Sequence, residues 1–409
     1  MSPRLPSGLP PISVIVVSWN RTDDLRRCLM ALQQQDHPAL EVIVVADAAS
    51  APVAAGALTF SENPGGNISA ARNIGLRMAQ GEVVAFIDDD AMAEPTWARR
   101  LTEVLAAPDV VAATGYTLGR NGISLQWAAA EVDATGLDHP LPLTRETRFH
   151  FGTDQRAVKP VGTNCAFRRA ALLQVGGFDP AYRFYLEDAD IGLRLAALGR
   201  TAVVPGAQVH HGFAASARRR ADRVPTDLSQ IGASSMVFLR RHAEPDSWPA
   251  ALARLRAEQA ARLAAHVVAG RLTEAEAARL TGTLETGIRD GETRPLPDLP
   301  PLEDTADGFA PLPGTGPRPG RMIAGRWFQA WRLRAKAARA VARGEIVTLI
   351  LLSPTARAHR HHFTAAGYWE QTGGIFGASE RRQPRFRWWR FSRRIAAEAA
   401  RLAPFRPVG

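Results

Sequence analysis

Val83-Val84-Ala85-Phe86-Ile87-Asp88-Asp89-Asp90 is the stretch from which the fold can be read. Its five leading residues are uncharged and rich in β-branched side chains, the composition of a strand buried on both faces. Three aspartates at its end cannot enter a core, because ionised carboxylates must be hydrated, paired or metal-bound. The carboxyl end of a parallel strand is where open α/β sheets place ligands. Oxygen-rich clusters there suit Mg²⁺ or Mn²⁺, usually with substrate phosphates completing the shell. Taken alone, the stretch also fits a solvated acidic turn.

Working outward towards the N-terminus, Ser69 to Gln80 reads as a helix stopped by Gly81. Before it, Asn63-Pro64-Gly65-Gly66-Asn67 is a loop that fits a phosphate cradle or a plain turn equally well. Ile12–Val17 is an uncharged strand closed by Ser18-Trp19-Asn20, and Thr22 is the expected N-cap of a helix. Leu25, Cys28, Leu29 and Leu32 recur at helical spacing, and Glu41–Ala46 is a second strand ending in Asp47. Strand, helix and strand with short connections form the βαβ unit of a doubly wound sheet.

Towards the C-terminus, Pro95 opens a helix to Leu105, and Val110–Ala113 continues the alternation. Pro160 to Arg169 reads as a strand entering a helix that ends at Gly176-Gly177. Phe184 to Leu195 opens another helix with Glu187, Asp188 and Asp190 in its first turn, acids that would complement any helix dipole. Val203 to Val209 leads to His210-His211. The pattern from Pro249 to His266 and from Thr273 to Ile288 is a helical pair. Eight prolines between Arg294 and Gly320 mark a linker or a draped surface loop. Ile346–Leu352 is apolar, too short to cross a bilayer and right for a buried strand.

The chain has 409 residues and a net charge of +10, unevenly spread. Residues 321–409 hold 18 Lys and Arg against 4 Glu, whereas the rest holds 32 against 36. The basic character belongs to a C-terminal module, where Trp327, Phe328 and Trp331, and then Trp388, Phe391 and Ile395, form aromatic stripes beside arginines. Such basic amphipathic helices suit an anionic membrane surface, or the tryptophans pack the module on the main domain. Charge and aromatics without a nucleic-acid motif give no reason to expect nucleic acid. No run of 18 apolar residues and no signal-peptide pattern occur, and two distant cysteines, Cys28 and Cys165, point to a reducing compartment.

Val16-Val17-Ser18-Trp19-Asn20-Arg21, Asp47, Ala70-Ala71-Arg72-Asn73-Ile74-Gly75 and Phe86-Ile87-Asp88-Asp89-Asp90 together resemble family-2 glycosyltransferases, over roughly residues 12–242. The resemblance implies an α/β fold of the GT-A type: Rossmann-like, a mostly parallel sheet with helices on both faces. Here that fold is followed by a helical segment and the small basic module. It departs at Ala46-Asp47-Ala48-Ala49-Ser50, where the family commonly has Asp-Asn-Gly-Ser. The expected organisation is a GT-A domain over 1–242, a helical extension over 243–292, a Pro-rich linker over 293–320 and the module over 321–409.

The implied function is metal-dependent, inverting transfer of a hexosyl or deoxyhexosyl unit from a nucleotide-diphosphate sugar to a hydroxyl acceptor. That acceptor would be a glycan, polysaccharide or lipid-linked saccharide of the cell envelope, and the cofactor Mn²⁺ or Mg²⁺. By resemblance, Asp47 meets the nucleoside base with Trp19 flanking it, Arg72 belongs to the donor site, and Asp88 or Asp89 meets the ribose. Asp90 is the metal ligand, joined by Asp88 and by His210, with His211 second choice. Asp188 is the catalytic base with Glu187 as alternate, and Asn164 lies on the acceptor side. The setting is cytoplasmic, with peripheral contact at the inner face of the membrane through residues 321–409. The competing readings are a nucleotidyltransferase, which usually has a Gly-rich basic loop that Ser18-Trp19-Asn20-Arg21 is not, and a silent GT-A scaffold, disfavoured by retention of Asp88, Asp90, Asp188 and His210.

Overall fold

The computed structural model describes residues 8–54, 59–63, 65–212, 218–304 and 308–409. Pro64 of the glycine loop and the first seven residues lie outside these.

The strand quoted above spans Val83–Asp88, and every residue up to Ile87 is buried. It stands inside a sheet whose order is Arg148–His150, Arg200–His211, Val110–Leu118, Asn164–Arg168, Val83–Asp88, Ile12–Val17, Leu40–Ala46 and Thr59–Glu62. All neighbours are parallel except around Asn164–Arg168 and at the edge strand Arg148–His150. Because Ile12–Val17 lies between its successor Leu40–Ala46 and Val83–Asp88, the winding reverses beside it. Val17 pairs with Asp88 at that point, so the aspartates stand at the switch point where such sheets bind ligands.

Alternation along each strand feeds two cores. Val14, Val16, Val42 and Val44 pack with Leu25, Leu29, Trp97 and Leu101 of the helices Thr22–Leu32 and Trp97–Leu105. Ile15, Ile43, Val45 and Phe86 pack on the other face with Ala71, Leu76, Leu172 and Ile191. That second layer comes from the helices Ile68–Met78, Arg169–Gln174 and Glu187–Leu195. Period-two burial on both faces explains why these strands read as continuous apolar runs.

The helical pair is observed at Trp248–Val268 and Glu274–Thr293, the second opened by a capping box of Thr273 and Glu276. A further helix, Ser229–His242, packs on Glu274–Thr293. It also sends Val237 and Phe238 into a core with Tyr182, Leu186 and Leu193. The boundary expected at 242 therefore falls between helices that pack together. Glycine makes the crossing close: a Cβ on Gly287 would collide with the Ser229 carbonyl, and one on Gly291 would lie 2.5 Å from that of Ala233.

The proline segment is a strap, not a free linker. Leu302 N–H bonds the Leu173 carbonyl at 2.9 Å, Leu312 N–H that of Leu40 at 2.6 Å, and Gly316 N–H that of Gln35 at 2.8 Å. It leads into a second sheet in the order Gly320–Arg326, Ile346–Ser353, Trp369–Gly374 and Arg360–Phe363. The helices Ala330–Val341 and Phe391–Leu402 cover it. The buried side of the first helix, Leu333, Ala337 and Ala340, differs from the aromatic stripe of the sequence. In the second, Leu402 and the ion pair Arg394–Glu398 are buried, and Phe391 and Ile395 of the expected stripe pack half-buried beside Ile350 and Leu352. Trp331 is left 84% exposed. Trp369 and Phe363 instead join the core of the main domain, and Trp369 Nε1 points to Gln34 at 3.3 Å.

Candidate active site

Asp88 ends its strand half-buried, and the turn at Asp89-Asp90 leads directly into Ala91–Ala93, which pairs with Val209–His211. Successive side chains on a strand point to opposite faces, so only one of the two histidines can meet the aspartates. It is His211, whose Nε2 lies 3.0 Å from Asp90 Oδ1 and 3.8 Å from Asp88 Oδ2. The preference for His210 is thereby corrected: its ring faces the other side of the strand, 2.8 Å from Glu94 Oε1. His211 Nδ1 lies 2.9 Å from Gln126 Oε1, a second contact that turns Nε2 towards the acids. Burial opposes charging His211, but the hydrogen bond and charge of Asp90, with the charge of Asp88, raise its pKa. One ligand atom from each of Asp88, Asp90 and His211 lies within 4.8 Å of the others. Two carboxylates and an imidazole form a donor set that fits a hard or borderline divalent ion.

Asp89 points elsewhere. Its carboxylate accepts from Ser18 Oγ at 2.7 Å and from Arg21 Nη1 at 2.9 Å. Burial lifts its pKa to about 6 against the pull of Arg21. It ties the Ile12–Val17 and Val83–Asp88 strand ends together, so of the two ribose candidates only Asp88 keeps a half-open carboxylate. Next to it, Trp19 is 48% exposed and lies on the glycine loop. A Cβ on Gly65 would stand 3.0 Å from the indole, and Gly65 and Gly66 both have positive φ. Asp47 receives the Asn20 N–H at 2.8 Å and the Ser50 hydroxyl at 3.1 Å. The short 3₁₀ turn Ala48–Val53 takes the place of a tight glycine turn there.

Across the cleft, Tyr185 and Leu186 have φ of 77° and 67°, two consecutive left-handed residues immediately before Glu187. Such strain in non-glycine residues is held only where the surroundings fix it, often beside a working site. Asp188 is half-buried, with Oδ2 accepting the Gly162 N–H at 3.2 Å and Oδ1 accepting the Ala189 N–H at 2.8 Å. Glu187 is buried and receives Arg72 Nη1 at 2.9 Å; burial raises its pKa although Arg72 pulls the other way. Arg72 is itself buried, 5.2 Å above the Phe178 ring, and interacts with the charges of Glu187, Asp88 and Asp188. Its guanidinium is thus a bridge between the two acidic elements. Lys159, bonded to Asp138 at 2.9 Å, also interacts with the charge of Asp188.

Asn164 does not reach the cleft. Its fully buried amide accepts from Trp97 Nε1 at 2.8 Å and donates to the Tyr116 and Ala207 carbonyls at 3.1 and 2.9 Å. Both its N–H donors and its carbonyl oxygen are engaged inside the sheet, which removes it from the acceptor side. Sequence reading missed Ser18 and Arg21 as partners of Asp89 and Gln126 as the partner of His211; each lies in a loop or short strand whose position only the fold supplies.

The fold and site define a GT-A-type domain, with acids at the switch point, an aromatic ledge beside them and a second acidic helix facing them. The chain belongs to glycosyltransferase family 2: the family described as "Glycosyltransferase like family 2" matches residues 10–224. It is 30% identical over 237 residues to the O-antigen biosynthesis protein RfbC of Myxococcus xanthus, covering 53% of this chain but only 18% of that protein. It is 29% identical over 262 residues to the succinoglycan biosynthesis protein ExoO of Rhizobium meliloti, covering 59% of this chain and 72% of that one. A mannosyltransferase from Pyrobaculum calidifontis, solved with GDP-Man and Mn²⁺, is a distant structural likeness at TM-score 0.40 and 21% identity, over 70% of this chain and 88% of that one.

Proposed function

We propose that this chain transfers a sugar from a nucleotide-diphosphate sugar to a saccharide hydroxyl, with inversion at the anomeric carbon and with Mn²⁺ or Mg²⁺ as cofactor. The observation that carries the reading is the convergence of Asp88, Asp90 and His211 at the switch point, between the Trp19 ledge and Asp188. The names of the Myxococcus and Rhizobium relatives support a polysaccharide acceptor of the cell envelope or exterior.

Asp88, Asp90 and His211 would hold the ion, with Gln126 fixing the imidazole. When bound, the metal would neutralise the charge that builds on the departing diphosphate. Trp19 offers an indole face to the nucleoside base, and Asp47, oriented by Asn20 and Ser50, accepts its hydrogen bonds. Asp188 is the base: two backbone N–H groups hold its carboxylate, and it takes the acceptor proton as the hydroxyl attacks from the face opposite the leaving group. Glu187 and Arg72 set the position of that helix.

A thermal-shift panel of nucleotide sugars with Mn²⁺, followed by product analysis, tests the proposal. Stabilisation grows as RT ln(1 + [L]/Kd), so the donor is expected to raise the melting temperature only with metal present. A panel in which no nucleotide sugar shifts the protein, or in which chelation changes nothing, overturns it.

A further inference from the structure

We propose that the free end of the C-terminal module is a docking surface for an anionic lipid bilayer. The inference is independent of the reaction proposed above, because it concerns binding alone. The strands Gly320–Arg326, Ile346–Ser353 and Trp369–Gly374 run parallel, so the segments leaving them emerge at one end. Trp327, Phe328 and Trp331 follow the first strand, and Phe386 and Trp388 come after the third. All five are exposed, Trp388 by 77% and Trp331 by 84%. The two groups are joined: the Arg326 guanidinium lies 4.4 Å from the Phe391 ring, and Phe376, Phe386 and Trp388 stack edge to face or tilted within 5.6 Å.

The same end is strongly basic. Between Phe376 and Ala397 there are seven arginines and one acid, Glu380. Arg385, Arg387, Arg390 and Arg393 are exposed, as is Arg332 beside Trp331. Tryptophan and phenylalanine among unneutralised arginines match the chemistry of an anionic interface, where rings enter the headgroup layer and guanidinium groups meet lipid phosphates. An exposed apolar group of this size is otherwise unfavourable for a soluble surface.

Orientation gives a second reason. The turn at Gly367 lies against the far end of the first helix of the main domain, where Gln34 Nε2 donates to its carbonyl at 2.7 Å. His361 N–H bonds the Asn121 carbonyl at 2.8 Å, in the turn beyond the carboxyl end of Val110–Leu118. The module's strands therefore run in the same sense as those of the main sheet. Its aromatic end faces the same way as Asp88, Asp90 and the open cleft. A protein resting on that end presents its cleft to the bilayer.

The test is flotation of the full chain with vesicles of phosphatidylcholine alone and of phosphatidylcholine mixed with phosphatidylglycerol, over a salt series, with tryptophan fluorescence as a second readout. Binding is expected only to the anionic vesicles, weakening as salt rises, with a blue shift in emission. Arg387→Glu/Arg390→Glu/Arg393→Glu should lower the partition coefficient at least a hundredfold, since each basic residue contributes roughly fivefold. Trp327→Ala/Phe328→Ala/Trp331→Ala should reduce the blue shift to the part that Trp388 supplies while the melting temperature stays unchanged, because all three side chains are exposed. Equal partition of wild type and both variants, no difference between the two vesicle types, or tighter charge-dependent binding to a single-stranded oligonucleotide than to vesicles would overturn the proposal.

Discussion

At the residue scale, the two histidines after Val209 separate the proposed metal site from packing. His211→Ala and Asp90→Ala are expected to fold, yet to lose Mn²⁺-dependent stabilisation by the donor. His210→Ala should keep that response and lower stability instead, because its ring fills a buried gap beside Glu94, His361 and Trp369. Calorimetric titration of Mn²⁺ with donor, alongside chemical denaturation, distinguishes the two. For the acids of the second helix, Asp188→Asn should depress kcat by ~10²–10⁴-fold with donor affinity nearly unchanged. Glu187→Gln leaves Arg72 buried beside a neutral partner, so its main effect should be on folding. A collapse of kcat in Glu187→Gln with Asp188→Asn active would exchange the two roles. The sequence showed the acids at a strand end and a helix start, and although hydration or dipole complementation would account for either group alone, their joint occurrence with the other motifs pointed to a site. It could not say which histidine faces them, since that depends on the register of Ala91–Ala93 against Val209–His211 and on strand alternation.

At the scale of elements, the long strands and helices of the main domain were legible to within a few residues, because burial on both faces leaves long uncharged runs and glycine marks the stops. The short strands Thr59–Glu62, Ala91–Ala93 and those between residues 125 and 158, and the helix Ser229–His242, were not read. The C-terminal helices were legible as helices, but the facing of the first was not. There Leu333 and small alanines do the packing while Trp327, Phe328 and Trp331 lie outside, whereas in the second Phe391, Ile395 and Leu402 pack inward beside the buried ion pair of Arg394 with Glu398. The crossing of Ser229–His242 with Glu274–Thr293 supports a paired prediction. Gly287→Ala should cost about 1–3 kcal/mol by overpacking against the Ser229 backbone. Gly282→Ala, in the same helix and with open space around its Cβ position, should stabilise by up to ~1 kcal/mol through helix propensity. Urea unfolding of the two variants checks the difference in sign.

At the scale of the whole molecule, the two sheets are held by a buried polar seam. Arg406 pairs with Glu94 and lies 3.9 Å from the Trp369 ring centroid, with His210 and His361 beside them. Burial keeps the His361 pKa well below its usual value, and the charges of Arg406 and His210 add to this. Burial likewise lowers His37 to about 4. Both groups take up a proton more readily when unfolded, so they make stability fall as pH drops below about 6.5 and continue to do so towards their folded values. Buried Asp89, lifted to about 6, works in the opposite sense as it gains its proton. The measurement is therefore a difference: His361→Gln should lose stability less steeply than wild type between about pH 7 and pH 5. Trp369→Ala, which empties a site shared by both sheets, should cost about 3–5 kcal/mol.

That shared core also sets an order of events on the ribosome. The valines of residues 14–44 wait for Leu312, Phe363 and Trp369 to close their layer, and Gln34 for Gly367, 333 residues later. At ~5–20 residues per second of synthesis, the first strands spend on the order of fifteen seconds or more without their final cover. During that interval the nascent chain exposes an apolar face that chaperones would recognise, which ties the yield of the protein to how quickly its tail emerges.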